Sequence, residues 1–379
     1  MNTNNISKSV VPSILIGVVW LMSFFNSLSS SEFLSTGSFF VAIIAYYMAV
    51  PNDRPMIKRI NINFFIITAV LLTWLAMTVS SLMKGRGGIM DLTVFRFLIT
   101  GYLLASLLCF KSIKVGVLKI FFYFIVAFFY SLLIVRGINA SDLYAHSSGA
   151  YVSSMLLPYT MVILYLDYRD SSKIDILPPV LTSLLILNTS SRTGAICGLA
   201  LVAVVVIIGI GKINRPVLRI IMYILFGIIT FLLIKRLTPL FVNMDIYAKF
   251  EAQGVDNEDR QQIWNAYFTN FTWFDCLFGV NAYKRPELIS YVKNMHNSFI
   301  NLHLQVGIFS IFYFYEIIKT LLFYLRKREF YYLLLFLVLI TYSFFNAAVF
   351  FTYFDFCFYL FVFNRLAINE TKETTISLV

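Results

Sequence analysis

Apolar runs of close to 20 residues recur along the whole chain, separated by short segments that hold Lys, Arg, Asp, Asn, Gly or Pro. A helix rises 1.5 Å per residue, so about 20 apolar residues cross the roughly 30 Å of a bilayer's hydrocarbon. At that length the pattern predicts an all-α, polytopic integral membrane protein. Twelve spanning helices are expected, at 9–27, 32–50, 62–83, 92–110, 115–135, 152–168, 174–190, 194–211, 217–235, 298–323, 330–345 and 348–365. They form a single transmembrane domain over residues 1–379, with the first helix read as an uncleaved span. The longest polar stretch, 236–297, is expected as one large loop within that domain. Inside it, Asp256 and Asp259 make a helix N-terminus, and Ile263, Tyr267, Phe271 and Phe274 form one apolar stripe thickened by Trp264, Phe268 and Trp273. Such a helix is expected either at the membrane interface or on the tops of the spanning helices.

Composition agrees with the pattern. Of the 379 residues, 59% are hydrophobic and only 13% charged, with a mean hydropathy of +0.80, whereas soluble domains carry about 25% charged residues. The net charge of +11 does not indicate nucleic acid, because the basic residues punctuate the apolar runs and do not cluster. Their distribution orients the chain. With both termini in the cytoplasm, sixteen Lys and Arg fall on cytoplasmic segments, Arg326, Lys327, Arg328, Arg365 and Lys372 among them. The short external segments carry four, Lys84, Arg86, Arg136 and Arg192, which satisfies the positive-inside rule. The large loop is then extracytoplasmic.

The chemistry-bearing residues gather on that external side. In Asn188-Thr189-Ser190-Ser191-Arg192-Thr193-Gly194, a turn opens a spanning helix, so free N–H groups, the positive helix end and the Arg192 guanidinium would together suit an anion. The same residues would equally serve as a capped turn with a snorkelling arginine. Arg260 opens the loop helix and could be only a solvated cation. His296 and Asn297 stand where the loop re-enters the membrane. His296 has the one side chain able to take a proton from a hydroxyl near neutral pH, and His303 follows seven residues later. Each could instead serve the fold, His296 as a helix cap and His303 as a bond to a neighbouring helix. Arg96, Glu316, Lys319 and Asp355 are intramembrane ionisable groups and so candidates for function. Glu316 and Lys319, three residues apart, could instead pair or snorkel. His146, with Tyr144, Ser147 and Ser148, is a further external candidate. Cys109, Cys197, Cys276 and Cys357 make no CxxC pair, and no Cys or carboxylate stands at ligand spacing from the histidines, so no metal site and no cofactor is expected. A P-loop, GxSxG and HExxH are all absent.

Three segments resemble the bacterial O-antigen polymerase and O-antigen ligase superfamily. Ser190-Ser191-Arg192-Thr193-Gly194 is similar to its S-R-[TG]-G segment. Asp259-Arg260-Gln261-Gln262-Ile263-Trp264-Asn265-Ala266, then Leu277-Phe278-Gly279-Val280, is similar to its R-x-x-x-W-x-x-A stretch and F/L-G turn. His296-Asn297-Ser298-Phe299, then Gln305-Val306-Gly307-Ile308, is similar to H-N-x-[FY]-[LI] followed by [EQ]-x-G-I, with Gln305 where members often have Glu. The motifs fall in family order within 188–308. The resemblance implies a metal-independent glycosyltransferase of the inner membrane. It would act on undecaprenyl-diphosphate-linked oligosaccharide in the periplasmic leaflet, within membrane lipid, and the family leaves open a chain-length-regulating co-polymerase. It implies that Arg192 and Arg260 bind the diphosphate and that His296 acts on the acceptor hydroxyl. Asn297 supports the site, with Ser191, His303, Asp355 and Arg96 as further contacts weighed for the substrate. The short stretch between Arg260 and His296 favours a polymerase over a ligase that delivers glycan to lipid A–core. A flippase or transporter is the alternative of another class, although such folds usually show paired repeats and midplane breaks, and no repeat is seen here.

Overall fold

The structure, a computed structural model, describes residues 3–29, 31–49, 59–84, 92–110, 113–136, 150–171, 174–189, 191–241, 258–289 and 295–376. Among them every regular element is helical. The α-helices are α1 (Thr3–Ser29), α2 (Glu32–Ala49), α3 (Arg59–Met83), α4 (Leu92–Leu108), α5 (Val115–Arg136), α6 (Ala150–Ser171), α7 (Leu177–Leu187), α8 (Arg192–Gly211), α9 (Pro216–Phe241), α10 (Glu258–Phe268), α11 (Trp273–Phe278), α12 (Pro286–Ile289), α13 (Ser298–Val306), α14 (Ser310–Lys327), α15 (Phe330–Phe345) and α16 (Asp355–Ile376). Each predicted span contains a helix. Five stretches are long and apolar enough to cross a membrane: Val10–Ser29, Glu32–Ala49, Val115–Val135, Arg192–Gly211 and Ser298–Lys327. The other apolar helices are shorter, α7 having only 11 residues. Several apolar helices of this kind fit a membrane protein. His146 with its neighbours, Ser190 and Asp256 lie outside the described residues.

The chain forms two compact units, residues 1–123 with 259–379, and residues 124–258. In the first, α1 packs along α2, α2 along α4, and α4 along α16. The core is aromatic: Tyr102 stacks on Tyr359 at 3.9 Å, and Phe121 lies so close to Gly17 that a Cβ there would sit 2.1 Å from its ring. In the second unit α6, α7 and α8 pack together through small residues, as membrane helices do. Thr160 and Thr182 share a hydrogen bond of 2.7 Å, and Gly198 faces the Ser183 hydroxyl.

Two predicted spans differ from the observed helices in an informative way. The span 298–323 is interrupted: α13 ends at Gly307, with φ +57°, and a single 3-10 turn over Gly307–Phe309 leads into α14. The span 348–365 begins late, because α16 starts at Asp355 and residues 346–354 are irregular. There Phe350 and Phe351 both take φ +68°. The Asp355 carboxylate holds this turn by accepting from the Phe351 N–H at 2.8 Å and from the Thr352 N–H at 3.0 Å.

Arg365 requires a correction. Counted by sequence among cytoplasmic orientation signals, it is buried and pairs with Glu316 at 2.6 Å. Lys319 is not Glu316's partner, and instead lies 5.1 Å from the Tyr315 ring. Thr320 accepts from Arg365, while Asn364 donates to Tyr324 and Tyr324 to the Phe361 carbonyl, so α14 and α16 are tied by one polar network. Removing one partner of a buried ion pair strands the other charge, at a cost of about 3–5 kcal/mol, whereas replacing both by apolar side chains is close to neutral. Arg365→Met should therefore lower the thermal unfolding temperature in detergent strongly, and Glu316→Leu in the same chain should restore most of it.

Candidate active site

Residues 259–289 and 295–297 of the large loop belong to the first unit. Glu258–Phe268 becomes a helix whose Ile263 and Tyr267, one turn apart, are completely buried. The predicted stripe does not continue as one helix, because Asn270 takes φ +54° and the chain turns. Arg285 stabilises that turn. Its guanidinium donates to the carbonyls of Ala266, Tyr267 and Thr269 at 3.2, 2.8 and 2.7 Å, and it pairs with Asp275 at 3.1 Å. A cation at these orphan C-terminal carbonyls ends α10. Thr272 and Asp275 then open α11 with a reciprocal capping box. Neither Arg285 nor Asp275 stood out in the sequence.

The Leu277-Phe278-Gly279 and Gln305-Val306-Gly307 segments interlock. A Cβ on Gly279 would lie 2.4 Å from the His303 carbonyl oxygen, and one on Gly307 would lie 2.1 Å from the Leu277 carbonyl oxygen. Around this junction Ser80 and Lys84 donate to the carbonyls of Phe278 and Leu304. The Asn281 amide donates to the Lys84 carbonyl at 2.8 Å. His303 completes it: Nε2 lies 3.1 Å from the Cys276 carbonyl and Nδ1 lies 2.7 Å from the Tyr267 hydroxyl. A carbonyl only accepts, so Nε2 carries the proton and Nδ1 accepts from the tyrosine. Burial pushes the Tyr267 phenol up, which keeps it a donor. His303 is thus engaged at both nitrogens in holding the loop.

The His296 turn lies beside this junction. His296 is half-buried with φ +49°, at the entry to α13. Asn297 caps α13, its carbonyl oxygen accepting from the N–H groups of Phe299 and Ile300 at 2.8 and 3.1 Å. Ser298 donates to the Asn346 carbonyl at 2.7 Å and accepts from the Ala348 and Val349 N–H groups at 2.9 and 3.2 Å. This fastens the turn to the end of α15. Arg260 arrives at the same end: its guanidinium carbon lies 5.8 Å from the Phe345 ring centroid. One helical turn on, Trp264 packs edge-to-face on Phe344 at 5.3 Å. Arg260, Trp264, Phe344, Phe345, Asn346 and the His296–Ser298 turn thus form one neighbourhood. Two donors in it, Trp264 Nε1 and Asn346 Nδ2, are buried and make no hydrogen bond within the described residues. Sequence reasoning placed Trp264 in the apolar stripe and in a motif without assigning its N–H a role, and missed Asn346. A cation, a histidine and two such donors are suited to an anionic or hydroxyl-rich ligand.

Asp355, Arg96 and Ser191 have evident structural partners. Asp355 holds its turn, as above. Arg96 donates to Thr36, beside Tyr353, which packs on Phe97 at 4.2 Å and accepts from Asn26 at 2.8 Å. In the second unit, Ser191 caps α8 by accepting from the Gly194 N–H at 3.3 Å and shares a 3.0 Å hydrogen bond with Ser153. Gly194 is required there, since a Cβ would lie 2.5 Å from Ser153 Cβ. Arg192 is half-buried in the first turn of α8. Among the described residues no three His, Cys, Asp or Glu side chains gather as a metal would require.

No family model matches the chain, and no curated protein or solved structure is significantly similar to it.

Proposed function

We propose that this chain is a metal-independent membrane glycosyltransferase of the O-antigen polymerase kind. In this reading it sits in the inner membrane with both termini cytoplasmic. It moves a glycan from undecaprenyl diphosphate to the non-reducing end of a second lipid-linked repeat unit. The observation that carries the reading is the packing of Arg260 and the His296 turn, distant in sequence, against the same end of α15. The resemblance of their motifs supplies the chemistry. The bond between the anomeric carbon and the diphosphate oxygen breaks, and Arg260 meets the negative charge that develops on the leaving diphosphate. His296 takes the proton of the acceptor hydroxyl as that oxygen bonds to the anomeric carbon. Trp264 and Asn346 offer N–H donors to sugar hydroxyls or phosphate oxygens. No nucleotide is needed, because the glycosyl–phosphate bond already carries the driving force. Arg192 enters by the resemblance alone, and its substitution is a separate arm of the test.

Deleting the gene in its host should leave lipopolysaccharide capped with a single repeat unit, and the wild-type gene should restore the ladder of longer chains. Arg260→Ala and Arg192→Ala should each fail to restore it. Accumulation of unattached lipid-linked polymer would assign the ligase reaction instead, and unchanged chain lengths would refute the proposal.

A further inference from the structure

The exposed side of α11 has the wrong chemistry for water. Trp273 is 86% exposed, and Phe274 and Leu277 beside it are also exposed. The one charged residue of α11, Asp275, is turned inward to Thr272 and Arg285. A helix that hides its carboxylate and presents its indole is matched to an apolar surround.

The height of this face follows from α14. Ile308, Ile311, Tyr315, Ile318, Leu322 and Leu325 are all exposed, at steps of three and four residues, so they make one apolar stripe along the 3-10 turn and α14. Opposite them Tyr313, Ile317, Thr320 and Tyr324 are buried. The 21 residues from Gly307 to Lys327 rise about 30 Å, the thickness of the hydrocarbon core. With Arg326, Lys327 and Arg328 at one surface, Gly307 stands at the other. The C-terminal end of α11 abuts Gly307, as the 2.1 Å clash of an added Cβ with the Leu277 carbonyl requires. The Trp273 face therefore continues the lipid-facing stripe at the hydrocarbon–headgroup boundary, where tryptophan is enriched.

We infer that α11 is a membrane-inserted foot: its Trp273–Phe274–Leu277 face binds the bilayer itself, in the leaflet at the Gly307 end. The loop is then seated in the interface by the outer face of α11, whose other side packs on α3 and the 3-10 turn, while α10 turns Ile263 and Tyr267 inward. This depends on membrane residence and not on the proposed reaction.

The test uses the full chain in phosphatidylcholine vesicles and the emission lost between wild type and Trp273→Phe, which isolates Trp273 without disturbing the core. Lipid brominated near the headgroup should quench about half or more of that component, and lipid brominated at the acyl terminus should quench less. Aqueous iodide should have little effect. Strong iodide quenching with no effect of bromolipid would overturn the inference by placing Trp273 in water. Protection from both quenchers would also overturn it, by indicating a covering protein surface such as a second copy of the chain. A spin label at Trp273→Cys, read for oxygen against aqueous-nickel accessibility, gives the same discrimination without fluorescence.

Discussion

Gly307→Ala is expected to disrupt the loop junction, costing about 3–5 kcal/mol from the sum of backbone strain and overpacking. Gly307 takes φ +57° and ψ −135°, which an L side chain rarely adopts. Its added Cβ would lie 2.1 Å from the Leu277 carbonyl oxygen and 2.7 Å from the Phe278 Cα. These are backbone atoms, so no rotamer change can make room. The strain would spread to what the junction holds together: α11, the bonds of His303 to Tyr267 and Cys276, and the Lys84 and Ser80 contacts. Thermal unfolding of the full chain in detergent measures the effect. Gly116→Ala and Gly209→Ala are the controls, since a Cβ at either site meets nothing within 4 Å and alanine favours helix by roughly 1 kcal/mol over glycine. Equal unfolding temperatures for Gly307→Ala and Gly116→Ala would refute the interlocked junction.

The second large effect is kinetic. In the proposed reaction His296→Ala removes the proton acceptor and should lower kcat by about 10²–10⁴-fold. Arg260→Ala removes charge stabilisation of the leaving diphosphate and should cost roughly 10²–10³-fold. Both side chains are half-buried, and the turn around His296 is held by Asn297 and Ser298, so the folded chain should persist in both variants. His303→Ala provides the contrast. It removes two structural hydrogen bonds from a buried site, so it should lower thermal stability more than His296→Ala does. If His303→Ala and His296→Ala have the same profile of stability and activity, the division of roles between the two histidines fails.

The helical character of the chain was legible from hydrophobic run length alone, because each apolar run of helical length did become helix. The boundaries that failed did so for identifiable reasons. Residues 346–354 are nearly all apolar, so hydropathy joins them to the following span. The Asp355 carboxylate, by binding the Phe351 and Thr352 N–H groups, and Ser298, by binding those of Ala348 and Val349, hold the segment in which two phenylalanines take the left-handed region. The break at Gly307 is set by the Leu277–Phe278 backbone, some 30 residues away in sequence, and no local pattern announces it. Arg365 was misread because a charge near a helix end looks like an orientation signal until its buried partner Glu316 is known. For the candidate site, Arg260 and His296 were visible through their motifs. Trp264 was visible in its motif but not as a donor, and Asn346 not at all, since an unspent buried N–H is a property of packing and leaves no trace in sequence.

The proposed reaction needs only this chain and lipid-linked repeat units. The direct measurement is chain growth by the purified protein in proteoliposomes, given undecaprenyl-diphosphate-linked repeat units as sole substrate, with a metal chelator and no nucleotide sugar. Multi-repeat lipid-linked products with release of undecaprenyl diphosphate are expected, and loss of both with His296→Ala. Translocation of the lipid-linked units without any chain growth, or equal chain growth by His296→Ala, would contradict it.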